Sequence, residues 1–260
     1  MWTKPFQQIE LDEVDSTNAE ALRRAATGER GPLWITAARQ TQGRGRSGRA
    51  WTSLPGNLAA TLLIAPGCTP AELHELSLVT GVAVHNAVAP LHDLSPVVDA
   101  PPPRLKWPND ILAGDAKLGG ILIESTIADG QPVAAIGIGL NLTSAPPLDG
   151  RATAARADGR MSLSPADLLT AIDVSLRHWL GVWQKGTGFP AIRRAWLSRA
   201  HAIGTPLSIN NGADTISGAF AGIDETGALL LGNVSTNPTE IRRFTYGDVS
   251  LRPPRVTRTD

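Results

Sequence analysis

The sequence predicts an α/β protein, strands alternating with helices, followed by a small all-β unit at the C-terminus. Three observations carry this. Apolar runs rich in β-branched and aromatic residues, such as PLWITAARQ, NLAATLLIAP and VAAIGIGLNL, alternate with stretches of helical spacing. Beyond His201 only short alternating runs occur, separated by Asn-Gly, Glu-Thr-Gly and Gly-Asn turns, the pattern of a small barrel. A chain of 260 residues that is 42% hydrophobic can fill one substantial core and leave room for a second, smaller unit.

The elements follow in order. Thr17-Asn18-Ala19-Glu20 reads as a capping box opening the helix NAEALRRAA, with Gly28 as its stop. PLWITAARQ is a strand, and after a Gly/Arg-rich loop NLAATLLIAP is a second, ended by Pro66-Gly67. Leu73, Leu76, Val79 and Val82 give the segment from Pro70 to about Ala89 a helical face. SPVVDAPPP is too proline-rich for a helix and is expected to run extended over the surface. RLKWPNDILA, KLGGILIEST and VAAIGIGLNL each read as strand-like. Ser164-Pro165 is an N-cap and N1 pair opening a helix that runs to Lys185, with Trp179 and Trp183 on one packed face. A last helix spans Ala191 to Ala200. The boundary between the two units is placed near residue 203, giving 1–202 and 203–260.

Charge and cysteine content narrow the classes. The 24 basic and 24 acidic residues cancel, so no broad positive field favours nucleic acid, and no apolar run approaches the ~18 residues of a membrane span. A single cysteine, Cys68, cannot form an internal disulfide and reads as a packing residue in a reducing, cytoplasmic protein. The N-terminus lacks a continuous apolar signal segment. His74, His85, His92, His178 and His201 have no metal-ligand spacing, and no metal site is expected from them.

The loop TQGRGRSGRAW matches G-x-G-x-x-G at Gly43, Gly45 and Gly48. A dinucleotide fold would follow it with a helix and a distant acidic residue; here a strand follows. The kinase loop lacks its partner signatures, and a P-loop needs Gly-Lys-Ser/Thr where this chain has Gly48-Arg49. What remains is Arg44, Arg46 and Arg49 on a glycine-rich loop. Glycines allow close approach to a ligand, and guanidinium forks suit carboxylate and phosphate oxygens. A solvated basic hairpin is the alternative. Lysine is scarce, only Lys4, Lys106, Lys117 and Lys185, and two of these fall in LKWPND and KLGGIL. Each is a compact ammonium suited to a phosphate or carboxylate, or else a surface lysine lying along apolar neighbours. Gly119-Gly120 within a strand favours the first, because glycine weakens a strand unless something must approach closely.

GRGRSGRAW, KWPNDIL, KLGGILIE, GIGLNL and the early DSTN together resemble the biotin protein ligase family, the biotin-[acetyl-CoA-carboxylase] ligases, from about residue 12 to 145 and more loosely into the tail. The resemblance implies an α/β catalytic domain, a mixed sheet with flanking helices related to class II aminoacyl-tRNA synthetases, followed by an SH3-like β-barrel. It implies an ATP-dependent enzyme that converts biotin to biotinyl-5'-AMP and passes it to a lysine of a biotin carboxyl carrier domain, with Mg²⁺ accompanying ATP. By motif, Ser16, Thr17, Asn18 and Gln40 would hold the ureido ring. Arg44, Gly45 and Arg46 would cover biotin and its activated carboxyl, and Lys117 would contact carboxyl and α-phosphate oxygens, so that Arg46 and Lys117 are the catalytic candidates. Trp51 would stack on adenine, Asn109 and Asn141 would read its edge, and Arg49, Lys106 and Asp110 would lie in the nucleotide and magnesium region. Ser47 stands where many relatives carry another basic residue.

Three competing expectations remain beside this one, among them a catalytically silent biotin-binding module, which turnover on a carrier domain would exclude. A lipoyl or octanoyl ligase shares the fold logic without the GRGRSGR loop. A biotin-sensing repressor would need a DNA-binding domain, and only about fifteen residues precede Ser16-Thr17-Asn18. Thr17 also suits a simple N-cap, and a second Ser-Thr-Asn, Ser235 to Asn237, reads as a turn.

Overall fold

Strands buried on both faces are apolar along nearly all of their length, and two segments of this chain are. In a computed structural model, which describes residues 3–90, 102–147, 153–155, 164–212, 214–232 and 240–251, these two lie side by side near the middle of a seven-stranded sheet. The strands are β1 (Gln7–Val14), β2 (Leu33–Gln40), β3 (Leu58–Ile64), β4 (Pro103–Lys106), β5 (Asp110–Ala113), β6 (Ala116–Ala128) and β7 (Gln131–Leu140). Their order is β1-β2-β3-β7-β6-β5-β4, with β1 and β2 parallel and every other pair antiparallel. β6 and β7 form the longest hairpin. Asp129 and Gly130 turn it with φ of 51° and 74°, the two positive angles of a type I′ turn.

Among the described residues four helices cover the sheet. α1 (Thr17–Ala26) makes the crossover between the parallel strands β1 and β2. Its Ala21 and Ala25 pack on Leu33, Ile35, Leu63, Val133 and Ala135. The alternate residues Trp34, Leu62, Ile64, Ala134 and Ile136 face the main core, built by α2 (Glu75–Val88), α3 (Pro165–Trp183) and α4 (Phe189–Leu197). α2 is buried on nearly every side, which its sequence ELSLVTGVAVHNAV requires. Its one carboxylate, Glu75, accepts the indole N–H of Trp183 at 2.5 Å. Trp34 Nε1 similarly donates to Asp173 at 2.9 Å. Cys68 is buried, and burial pushes its thiol up to about 11, which suits a packing residue.

The tail forms a second, antiparallel sheet of five strands, β8 (Pro206–Asn210), β9 (Thr215–Ile223), β10 (Leu229–Gly232), β11 (Ile241–Phe244) and β12 (Asp248–Ser250), in the order β11-β10-β9-β8-β12. Leu207, Phe220, Leu229 and Val249 merge with Trp107, Trp196 and Ala200 of the larger unit in one core.

Several expectations shift in detail. RLKWPNDILA is two strands, because Pro108 cannot continue the ladder and Trp107-Pro108-Asn109 turns the chain back with Lys106 opposite Asp110. The N-cap of α1 is Ser16, whose Oγ accepts from Ala19 N at 3.5 Å, so Thr17 is already helical and no capping box forms there. The segment from Pro70 begins as a short 3₁₀ turn, Pro70–Glu72, before α2, and α4 starts two residues earlier and stops three earlier than its spacing indicates. Residues 95–101 of the proline-rich stretch, His92 and Ser235 to Asn237 lie outside the described residues.

The turn between β9 and β10 depends on Asp224. Its Oδ1 accepts from Thr226 N–H, the Thr226 hydroxyl and Ala228 N–H at 2.8–2.9 Å, and its Oδ2 from the Arg243 guanidinium at 2.5 Å. Burial alone would raise this carboxyl, but Arg243 and the other donors outweigh it and bring it down to about 2. A carboxyl whose pKa is lower folded than unfolded contributes stability above ~3.9 and loses it as the pH falls through the folded value. Asp224→Asn should therefore cost about 1–3 kcal/mol in urea unfolding at pH 7. The gap from wild type should shrink between ~pH 4 and about 2; a gap constant over that range would contradict the assignment.

Candidate active site

The mouth of the β4–β5 hairpin places a lysine across from an aspartate, and the start of β6 adds a second lysine. Asp110 Oδ2 lies 2.8 Å from Lys106 Nζ and Oδ1 lies 2.5 Å from Lys117 Nζ. The three side chains are 7–16% exposed. Burial by itself would raise the Asp110 carboxyl, but the two ammonium charges outweigh it and hold the group well below the usual carboxylate range. Lys106 Nζ also donates to the Val249 carbonyl of β12 at 2.9 Å. Gly120 makes room for this cluster, since a Cβ there would sit 3.2 Å from Lys117 Nζ.

The N-terminus of α1 supplies a polar wall. Thr17 N–H donates to Gln40 Oε1 at 2.8 Å, and Gln40 Nε2 donates to Ser53 Oγ at 3.0 Å. The Thr61 hydroxyl, wholly buried on β3, donates to Asn18 Oδ1 at 2.6 Å and lies 2.7 Å from Thr17 Oγ1. Asn18 Nδ2 reaches Glu124 Oε2 at 2.8 Å and the Leu122 carbonyl at 3.3 Å. Asn18 therefore braces the wall, whereas the Ser16 hydroxyl keeps its proton to donate.

The Gly/Arg loop folds on itself. Gly45 N–H donates to the Arg49 carbonyl at 2.7 Å and Trp51 N–H to the Gly43 carbonyl at 2.8 Å. Ser47 and Gly48 take positive φ, 56° and 73°, at its tip. Gly43 must lack a side chain, because a Cβ would fall 2.4 Å from the Trp51 carbonyl. The three guanidinium groups diverge. Arg44 pairs with Glu124 on β6 at 3.2 Å, and Arg49 with Asp248 on β12 at 2.6 Å. Among the described residues Arg46 reaches only the neutral Asn109 Oδ1, at 3.3 Å, and burial pushes its pKa down despite the pull of Asp248 and Asp110. It is the loop cation whose charge is left for a ligand. Trp51 lies flat over β7, where a Cβ on Gly139 would come 2.4 Å from the indole, and Lys117 Nζ sits 5.9 Å from the ring centroid.

These parts enclose one cavity of about 390 Å³ on the α1 side of the sheet, a size suited to a small molecule. Ser16, Thr17, Asn18, Gln40, Arg44, Gly45, Arg46, Arg49, Trp51, Lys106, Asn109, Asp110 and Lys117 all line it. Asn141 does not; it is buried, its Nδ2 3.5 Å from the Lys117 carbonyl and its Oδ1 without a partner. Sequence reasoning missed Gly137 and Gly139, whose absent side chains admit Asn18 and Trp51. Their spacing of two in GIGL was a usable signal, since glycines on one face of a buried strand mark a close approach. Thr61, Glu124, Asp248 and Val249 carried no local signal. Among the described residues no group of three or more His, Cys, Asp or Glu is placed to hold a metal ion, and no helix is long and apolar enough to cross a membrane.

Comparison with known proteins gives concordant findings. Residues 11–142 match the biotin/lipoate A/B protein ligase family, and residues 203–252 match the biotin protein ligase C terminal domain. A biotin-[acetyl-CoA-carboxylase] ligase of Paracoccus denitrificans is 37% identical over 231 residues, which is 85% of this chain and 92% of the relative. The biotin protein ligase of Aquifex aeolicus, solved with biotin and ATP, superposes with a TM-score of 0.74 at 25% identity, over 94% of this chain and 97% of that one. The biotin protein ligase of Leishmania major, solved with biotinyl-5-AMP, gives 0.60 at 26% identity, over 92% and 99%.

Asp110→Asn leaves two buried ammonium groups facing each other without their shared counter-charge. Denaturant unfolding at pH 7 should register a loss of about 3–5 kcal/mol. An unchanged midpoint would mean that the lysines do not depend on this carboxylate.

Proposed function

The chain belongs to the biotin/lipoate A/B protein ligase family, and from that premise we propose how its cavity performs ATP-dependent biotin ligation. A biotin carboxylate oxygen bonds to the α-phosphorus of ATP, and the bond from that phosphorus to the bridging oxygen breaks. Biotinyl-5'-AMP forms and pyrophosphate leaves. The ε-amine of a carrier-domain lysine then attacks the acyl carbon, and AMP departs with the electron pair of the broken C–O bond while the amine gives up its proton.

The observation that carries the reading is the convergence of Lys117 and Arg46 on one cavity whose far wall is neutral and polar. Charge accumulates on phosphoryl oxygens in the first step, and fixed cations stabilise it without a nucleophilic side chain. Lys117 and Arg46 take that role, each contact worth about 1.5–3 kcal/mol. The uncharged ureido ring lies at Ser16, Thr17 and Gln40, which offer donors and acceptors. The adenine stacks on Trp51, with Asn109 at its edge and Arg49 and Lys106 on the phosphate side. Asn141, one strand layer behind, supports the Lys117 backbone. Mg²⁺ enters with ATP as part of the substrate. Both Asp110 oxygens are engaged by ammonium groups, so a Mg²⁺ ion accompanying ATP would be held mainly by phosphate oxygens and water and not by this carboxylate. The loop from Gly43 to Arg49 is a lid that keeps water from the acyl-adenylate.

The carrier is the biotin carboxyl carrier domain of an acetyl-CoA or related carboxylase, and the setting is the cytoplasm, where ATP and such carriers meet. The catalytic unit ends at residue 202 and the C-terminal unit begins at 203, a division supported by the domain match at 203–252. That match is specific to biotin protein ligases and favours biotin over lipoate.

A purified carrier domain incubated with the protein, biotin and MgATP should become streptavidin-reactive, and lipoate in place of biotin should leave it unmodified. Lys117→Ala and Arg46→Ala should each slow biotin-dependent ATP–pyrophosphate exchange by about 10²–10³ with circular dichroism unchanged. Near-normal exchange in either variant would remove that residue from the proposed role.

A further inference from the structure

Glu124 does not line the cavity, yet one of its oxygens joins the two parts of the site that must act together. Oε2 accepts from Asn18 Nδ2 at 2.8 Å, on the polar wall, and from Arg44 Nη2 at 3.2 Å, at the start of the Gly/Arg loop. The Asn18 end is rigid. Its Oδ1 is held by the buried Thr61 hydroxyl at 2.6 Å, and it lies against β7 where a Cβ on Gly137 would come within 2.4 Å. The Arg44 end is a partly exposed ion pair between groups 80 residues apart in sequence, with side chains 46% and 25% exposed. Such a pair adds little to global stability. Asn18 Nδ2 gives its other hydrogen to the Leu122 carbonyl at 3.3 Å, and a neutral amide oxygen at position 124 would accept the first as a carboxylate does, so bracing Asn18 does not by itself call for a charge there. The negative charge has one use that its surroundings reveal: it fixes the first guanidinium of the loop to β6, while Arg49 at the far end of the loop pairs with Asp248 of β12 and Arg46 between them makes a neutral contact with Asn109.

We propose that Glu124 is a positioning residue that couples the ring-binding wall to the loop, holding Arg44 so that the loop stays closed while the acyl-adenylate awaits its acceptor. The inference rests on the ligase reading. Closure at the β6 end of the loop is then governed by an ion pair whose carboxylate is oriented by Asn18, a residue that lines the cavity.

Glu124→Gln separates the two contacts, because the amide oxygen still accepts from Asn18 while the charge facing Arg44 is lost. Release of preformed biotinyl-5'-AMP should quicken about fivefold, the upper range for a solvent-accessible ion pair. KM for ATP and the unfolding midpoint should stay at wild-type values. Wild-type release should accelerate with ionic strength, and the variant should show a weaker dependence, the part left by the Arg49–Asp248 pair. Arg44→Gln probes the same pair from the loop side, and the double variant should release no faster than Arg44→Gln alone. Wild-type release rates in Glu124→Gln, an unaltered salt dependence, or additive effects in the double variant would each overturn the proposal. Failure of the wild-type protein to form the adenylate at all would instead overturn the ligase reading.

Discussion

A carboxylate enclosed between two ammonium groups is the constraint around which this site is built. Asp110 is almost fully buried, and a lone charge so placed would be strongly disfavoured. Lys106 and Lys117 make it tolerable, and it in turn holds two cations close together where they would otherwise repel. The hairpin register sets the first pairing, the β5–β6 ladder brings in the second, and Gly120 leaves the space both need. The cavity's positive end thus follows from backbone geometry as much as from side-chain chemistry.

The rest of the cavity exists because something is missing. α1 is ten residues long and covers only part of its face of the sheet. Over the uncovered part, Gly137 and Gly139 on β7 and Gly120 on β6 replace side chains with space, and Asn18, Trp51 and Lys117 move into it. A sheet face of ordinary β-branched residues would have been filled by its own side chains. The glycines carry the usual entropic cost, which the long β6–β7 hairpin and the apolar β3 beside it offset.

Three arginines with one sequence pattern acquire three environments. Two are neutralised by carboxylates from different parts of the chain, one from the large sheet and one from the C-terminal sheet, and the third faces the cavity beside a neutral amide. The C-terminal unit is accordingly a wall of the site, through Asp248 and Val249, as well as a neighbour in the core.

Local chemistry was enough to read most elements from the sequence. Uninterrupted apolar runs marked β3 and β7, Ser164-Pro165 marked the start of α3, and the failure of three phosphate-loop templates left the arginines of Gly43 to Arg49 as the feature to explain. The motif residues from Ser16 to Lys117 could be gathered because each lies in a short, unusual stretch. Other matters depended on pairing. KWPND reads as part of one strand until the turn at Pro108 sets Lys106 across from Asp110. Glu124 looks like any polar residue on a strand, and Asp248 like any acid in a turn. Sequence by itself determined which residue types and backbone freedoms were available, because propensity and periodicity act over a few neighbours. Only the tertiary structure decided which charges neutralise one another and which is left for a ligand, because those partners lie up to 199 residues apart and electrostatic energy depends on distance through space.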